Sequence, residues 1–290
     1  MAESPARYSK LSLVLWLLIF LYVINPVATD AFPRALASPL NTPIAILLPM
    51  IFALIHGSRR YGWSGILVFL VLCLGISNIM ENIGVLTGFP FGHYHYTDVI
   101  GPKLFLVPLL IGPAYFGTGY LSWVLANILL DTDNRRDLKA TIGVPLVGTF
   151  IMVAWDVALD PGSSTFSNIW IWEKGGSYFG VPFVNYLGWY LTVYLFLQAF
   201  ALYKMRRDVS VPAPPKAYWY QAPVFYAVMA IDFVAGYWGG TDTRITDATG
   251  KVWQTGDIFA TAAIMGLFVM LPFAVASFVT LLLRDGPAKT

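Results

Sequence analysis

The stretch VPLVGTFIMVAWDVALD, residues 144–160, decides how this chain is read. It is apolar from Val144 to Trp155 and then places Asp156 and Asp160 one helical turn apart. A carboxylate at membrane depth is costly unless it has a partner or a task. The run is a helix long enough to enter a bilayer, and its two acids are the first place to look for chemistry.

Composition agrees with a membrane reading. Hydrophobic residues make up 57% of the 290 positions and charged residues only 12%, and the mean hydropathy is +0.65. An ordinary soluble domain carries about twice that share of charge. The formal charge of +2 offers no basis for a nucleic-acid partner. The single cysteine, Cys73, excludes an internal disulfide and a cysteine-based metal site.

Apolar runs measured against the length of a bilayer crossing predict an all-α polytopic bundle of about eight helices. They fall at about 11–28, 41–56, 63–86, 104–130, 140–159, 183–203, 219–238 and 257–283, within one transmembrane domain spanning 1–290. Lys and Arg orient them. Alternate connectors hold only Arg34, Lys103, Lys174, Arg244 and Lys251 of the 18, which predicts both termini on the cytoplasmic side of the cell (inner) membrane. A cleaved signal peptide is the competing reading of the first span, from Lys10 and the segment Ala35-Leu-Ala37. The charge pattern favours a retained span. The proline-rich segment Asp208–Lys216 reads as a cytoplasmic connector.

This topology gathers polar residues at one end of the bundle. Asn78, Glu81 and Asn82 share a stripe near the end of the third span, and Asp156 and Asp160 share one at the end of the fifth. The loop holding His93, Tyr94, His95 and Tyr96, the pair Trp170 and Trp172, and Tyr178, Asn185 and Trp189 fall on the same side. Carboxyl groups packed together in a low dielectric cannot all ionise cheaply, so one is expected to hold a proton. A neutral acid beside an ionised one is equipment for acid and base catalysis.

Structural readings stand beside these. Asp160-Pro161 reads as a helix end, Asp156 as an ion-pair partner for Lys103 or Lys174, and Trp170, Trp172 and Trp189 as an interfacial belt. His93 and His95 read as ordinary hydrogen-bonded histidines. Three histidines in all, with His56 assigned to the opposite side, are too few for a membrane di-iron site. Asp131, Asp133 and Asp137 resemble half of a Mg-diphosphate site. They lie roughly 24 Å from the Asp156 pair at 1.5 Å per helical residue, so the two clusters cannot share a metal, and with Arg135 and Arg136 between them they read as a solvated loop.

Five strings carry a resemblance: Glu81-Asn-Ile-Gly-Val-Leu-Thr-Gly-Phe-Pro-Phe-Gly-His-Tyr-His-Tyr96, Gly101-Pro-Lys103, Trp155-Asp-Val-Ala-Leu-Asp-Pro161, Trp170-Ile-Trp172, and Tyr178-Phe-Gly-Val-Pro-Phe-Val-Asn-Tyr-Leu-Gly-Trp189. Over about residues 75–200 the chain resembles the integral-membrane carotenoid biosynthesis protein family, which includes hydratases acting on acyclic carotenoid ends. The resemblance implies hydration of a terminal C=C by acid protonation and water capture of a tertiary carbocation, without an organic or metal cofactor. In that reading Asp156 is the general acid, with Asp160 or Glu81 as its partner. Asn82 and Asn185 position water, and Tyr94, Tyr96, Trp155, Trp172 and Tyr178 wall the pocket. The expected partners are a carotenoid or other polyisoprenoid, membrane lipid and other enzymes of the carotenoid pathway. An isoprenoid cyclase, isomerase or prenyltransferase, a membrane transporter and a pigment-binding protein are the alternatives.

Overall fold

The computed structural model describes residues 5–31, 41–133, 135–207 and 215–284. Ala35–Ala37 and most of the Asp208–Lys216 connector lie outside them. The described chain runs through α1 (Pro5–Ala31), α2 (Asn41–Thr87), β1 (Tyr94–Tyr96), β2 (Lys103–Leu104), β3 (Val107–Pro108), α3 (Ile111–Leu129), α4 (Leu138–Pro161), β4 (Trp170–Trp172), α5 (Phe183–Arg206), α6 (Lys216–Gly239), β5 (Arg244–Thr246), β6 (Val252–Gln254), α7 (Thr255–Met265) and α8 (Leu271–Arg284). A π-helical turn, Gly162–Phe166, continues α4, and another, Gly266–Met270, joins α7 to α8.

Among the described residues, five helical runs are long and apolar enough to cross a membrane: Thr42–Thr87, Leu138–Phe166, Phe183–Arg206, Lys216–Gly239 and Thr255–Arg284. The surface is apolar where a soluble protein's is polar. Leu13, Trp63, Val71, Leu86 and Leu283 are exposed, whereas His56, Arg60, Glu81, Asp156, Asp160 and Asn185 are buried. Hydrocarbon outside and satisfied polar groups inside is the arrangement a bilayer selects.

The second and third expected spans both fall within α2, which is two helices that meet at a kink at Gly62, whose φ of 67° and ψ of 170° are not helical. That region of backbone space is essentially restricted to glycine. The run doubles back there. Gly57 and Ile66 touch, a Cβ on Gly57 falling 2.4 Å from Ile66 Cδ1, whereas a straight helix would hold them about 13 Å apart. Thr42 and Glu81 consequently line one cavity.

The fourth expected span begins late. Residues Lys103 to Pro108 form the β2–β3 hairpin instead of a helix, because Pro102 and Pro108 withhold amides and Phe105 turns the chain at φ 57°; α3 then starts at Ile111. Its glycines let neighbours approach, with Gly117 against Pro49 and Gly119 against Phe196. Small residues at helix contacts are how packing is gained where lipid removes the hydrophobic drive.

Asp137 caps α4 by accepting the Ala140 amide at 2.9 Å. Pro161 does not end the helical path, which runs on through the π turn; the Ser164 hydroxyl donates to the Asp160 carbonyl at 2.8 Å.

The acidic segment before α4 is a solvated loop at Asp131 and Asp137, which are exposed, but Asp133 is buried. Arg60 Nε donates to Asp133 at 3.0 and 2.9 Å, and Lys204 Nζ to the Asp133 carbonyl at 3.0 Å. Asp131 pairs with Arg284 at 2.9 Å and Asp137 with Arg135 at 2.7 Å. The three acids therefore meet four different basic side chains rather than one ion.

Candidate functional site

β1 and β4 pair antiparallel, with Tyr94 opposite Trp172, His95 opposite Ile171 and Tyr96 opposite Trp170. Side chains alternate across a strand, so Tyr94, Tyr96, Trp170 and Trp172 all turn inward and His95 turns out. His95 meets Glu173 at 3.2 Å on the surface. Phe91 anchors this two-stranded sheet between α2 and α5. A Cβ at Gly84 would lie 2.7 Å from Phe91 Cδ2, and one at Gly188 2.7 Å from its Cδ1, so both positions admit only hydrogen.

Glu81 receives the tyrosines. Tyr96 Oη donates to its Oε2 at 2.9 Å, Tyr94 Oη to the same oxygen, and Tyr115 Oη to Oε1 at 2.6 Å. Burial first, and then the Glu81 charge, push the Tyr94 and Tyr96 phenols well above their ordinary value. Both therefore keep their protons and remain donors. Tyr115 is stacked on Trp189, centroids 4.4 Å apart and 4° from parallel, which fixes its hydroxyl toward Glu81.

Asp160 receives the tryptophans. Trp170 Nε1 donates to Asp160 Oδ1 at 2.9 Å and Trp172 Nε1 at 3.4 Å, while Asn185 Nδ2 donates to Oδ2 at 2.6 Å. The same Asn185 nitrogen lies 3.4 Å from Asp156 Oδ2. Asp156 Oδ1 is buried without a hydrogen-bond partner. The two indoles are thus donors to a buried acid rather than members of an outward-facing belt. Among the described residues neither aspartate pairs with lysine: Lys103 bonds Asp98 at 2.8 Å and the Tyr96 carbonyl at 2.9 Å.

A cavity of about 390 Å³ opens beside this network. Of the residues expected at the site, Glu81, Tyr94, Tyr96, Trp155, Trp172 and Asn185 line it. Asp156 and Asp160 stand behind its wall, at 0% and 1% exposure, and touch it through Asn185. Asn82 and Tyr178 do not line it. One residue on from Glu81, Asn82 is rotated about 100° round the helix; it bonds the Asn78 carbonyl at 2.8 Å and the Leu106 amide at 3.0 Å, tying α2 to the β2–β3 hairpin. Tyr178 donates to the Val157 carbonyl at 3.2 Å, and burial, with Asp160 and Asp156 nearby, pushes its phenol up to about 12.

The cavity is also lined by Trp170 and Trp189, read from the sequence as belt residues, and by Tyr115, Tyr22, Asn25, Thr42 and Asp232, which sequence reasoning passed over. Among the described residues no group of three or more His, Cys, Asp or Glu is arranged to hold a metal ion. Apart from Thr118, Ser163 and Ser167, the rest of the wall is aromatic and aliphatic, suited to an apolar ligand met by a few fixed polar groups.

Comparison with known proteins gives this geometry a context. The model of the carotenoid biosynthesis protein family matches residues 41–246. The bisanhydrobacterioruberin hydratase of Haloarcula japonica is 35% identical over 114 residues, which cover 39% of this chain and 37% of that protein. No solved structure matches the chain significantly.

Proposed function

Since the chain belongs to the carotenoid biosynthesis protein family, we propose that it is a hydratase that adds water across the terminal trisubstituted C=C of an acyclic carotenoid end. The observation that carries this reading is Glu81: a carboxyl group facing an aromatic-walled cavity, with three tyrosine hydroxyls aimed at its oxygens.

In the proposal the Glu81 carboxyl protonates the less substituted alkene carbon. Its O–H bond and the C=C π bond break, a C–H bond forms, and a tertiary cation remains. Negative charge then develops on a carboxylate that already has three donors, so the hydroxyls stabilise the transition state more than the neutral acid. The faces of Trp155, Trp172 and Trp189 stabilise the cation, at about 1–2 kcal/mol for each desolvated ring. Water attacks the tertiary carbon and returns a proton to Glu81, which closes the cycle without a cofactor. A cavity of about 390 Å³ suits a drug-sized fragment, so it takes one end of the polyene while the rest lies along the helices in lipid, in a multi-pass protein of the cell membrane beside other pathway enzymes.

A second reading keeps Asp156 as the acid, with Asp160 as its partner. Its favouring observation is Asp156 Oδ1, buried without a hydrogen bond; the proton would leave past Asn185.

Expression in a host that accumulates acyclic-ended carotenoids tests the function. Mass analysis should show products heavier by one water. Unchanged pigments, with the protein inserted in the membrane, would remove the proposal; a cyclised or isomerised pigment of unchanged mass would favour a related isoprenoid enzyme.

A further inference from the structure

Hydration needs two reactants, and the network around Glu81 offers water no direct way in. Glu81, Asp156, Asp160 and Asn185 are all buried, and the β1–β4 sheet covers them with Tyr94, Tyr96, Trp170 and Trp172. Whatever reaches Glu81 comes through the cavity. The wall of that cavity includes four polar residues contributed by three other segments: Tyr22 and Asn25 from α1, Thr42 from the start of α2, and Asp232 from α6.

Asp232 is the unusual member. It sits in a helix apolar enough to cross a membrane, between the exposed Ile231 and Phe233, a neighbour that lines the same cavity, and it is only partly buried. No hydrogen bond or ion pair to its carboxyl is made among the described residues, and the Tyr22 phenol of α1 lies within reach of its charge. Acids within membrane helices face one another, the bundle interior or a water-filled cavity. Asp232 borders a cavity.

We propose, building on the hydratase reading, that Asp232, with Asn25 and Thr42, forms the water inlet of the cavity: a hydrated end that holds the co-substrate and passes it to the Glu81 end. The polyene and the water then enter the same chamber by different walls, one apolar and one polar.

Accessibility to water tests this without turnover. Cys73 is buried and is the chain's lone cysteine, so an introduced cysteine is read against a silent background. Thr42→Cys and Asp232→Cys, in full-length protein reconstituted in vesicles, are treated with a cationic methanethiosulfonate, which reacts with thiolate in water. Both should be modified at least about tenfold faster than Ile231→Cys, whose side chain faces lipid and stays a thiol. Thr42→Cys leaves Asp232 in place, so the test survives if Asp232→Cys does not fold. Rates at position 42 no faster than at 231 would overturn the inlet. Because no substrate is present, a failed hydratase assay and a dry inlet are separate results.

Discussion

Tyr96 and Trp170 face each other across β1 and β4, yet they serve different acids: the Tyr96 hydroxyl goes to Glu81 at 2.9 Å and the Trp170 indole to Asp160 at 2.9 Å. A two-stranded sheet therefore sets the spacing of two carboxyl groups carried by different helices. The position of one acid cannot change without moving the donors of the other.

The assignment of the acid separates by substitution. Glu81→Gln should lower hydration by about 10²–10⁴-fold, the usual worth of a positioned acid, while Asp156→Asn should lower it by less. Product mass analysis of the two variants checks this, with membrane-inserted protein quantified alongside. Full loss in Asp156→Asn with activity kept in Glu81→Gln would move the proton to Asp156.

Tyr115→Phe removes one donor to Glu81 and keeps the ring stacked on Trp189. Turnover should fall by about 10²-fold, as for one lost donor to a developing anion, and the stranded Glu81 oxygen should cost about 1–3 kcal/mol of stability in detergent. Unchanged turnover per membrane-inserted molecule would mark Tyr115 as structural instead.

Asp160→Leu should destabilise more than Asp160→Asn. Leucine strands Trp170 Nε1, Trp172 Nε1 and Asn185 Nδ2 in a buried site, at about 1–3 kcal/mol for each unsatisfied group. Asparagine keeps a carbonyl acceptor. Thermal melting of the purified variants ranks the two; equal melting points would mean the indoles find other acceptors.

At the opposite end of the bundle, Arg60→Met should cost about 3–5 kcal/mol by leaving Asp133 buried beside no guanidinium. Arg60→Met with Asp133→Leu should recover most of the loss. The double-mutant cycle fails if the two changes simply add.

Acid should expose the α4 cap. The Ala140 amide, and then Arg135, hold the Asp137 carboxyl below its ordinary 3.8. A group depressed in the folded state stabilises above its unfolded value and loses that stabilisation as pH falls through the folded one. The window therefore lies below about pH 4. Melting at pH 7 and pH 3 should fall further for the wild-type chain than for Asp137→Asn, and equal losses would contradict the cap's role.

Much of the site was legible because helical spacing and the loop order place Glu81, the aspartate pair, Tyr94, Tyr96, Trp172 and Asn185 at one end. Tyr115 was not, since it lies in an apolar helix with no polar neighbour in sequence and gains its partner from the packing of α2 on α3. Asn82 was misplaced by one residue's rotation. Trp170 and Trp172 read as a belt because composition reports amphipathic rings, whereas only strand pairing says that their N–H groups point inward. The buried Arg60–Asp133 pair was hidden for a similar reason: its members sit 73 positions apart, and charge counting treats each as part of its own loop.

Gly62 has a consequence for how many times the chain changes sides. Taken as one unbroken helix, Thr42–Thr87 would make one crossing and leave its two ends on opposite faces of the bilayer. A reversal made by a single residue returns the chain to the face from which it set out, so every later segment takes the opposite orientation from the one an unbroken helix would give it. The parity of the whole topology rests on an absent side chain.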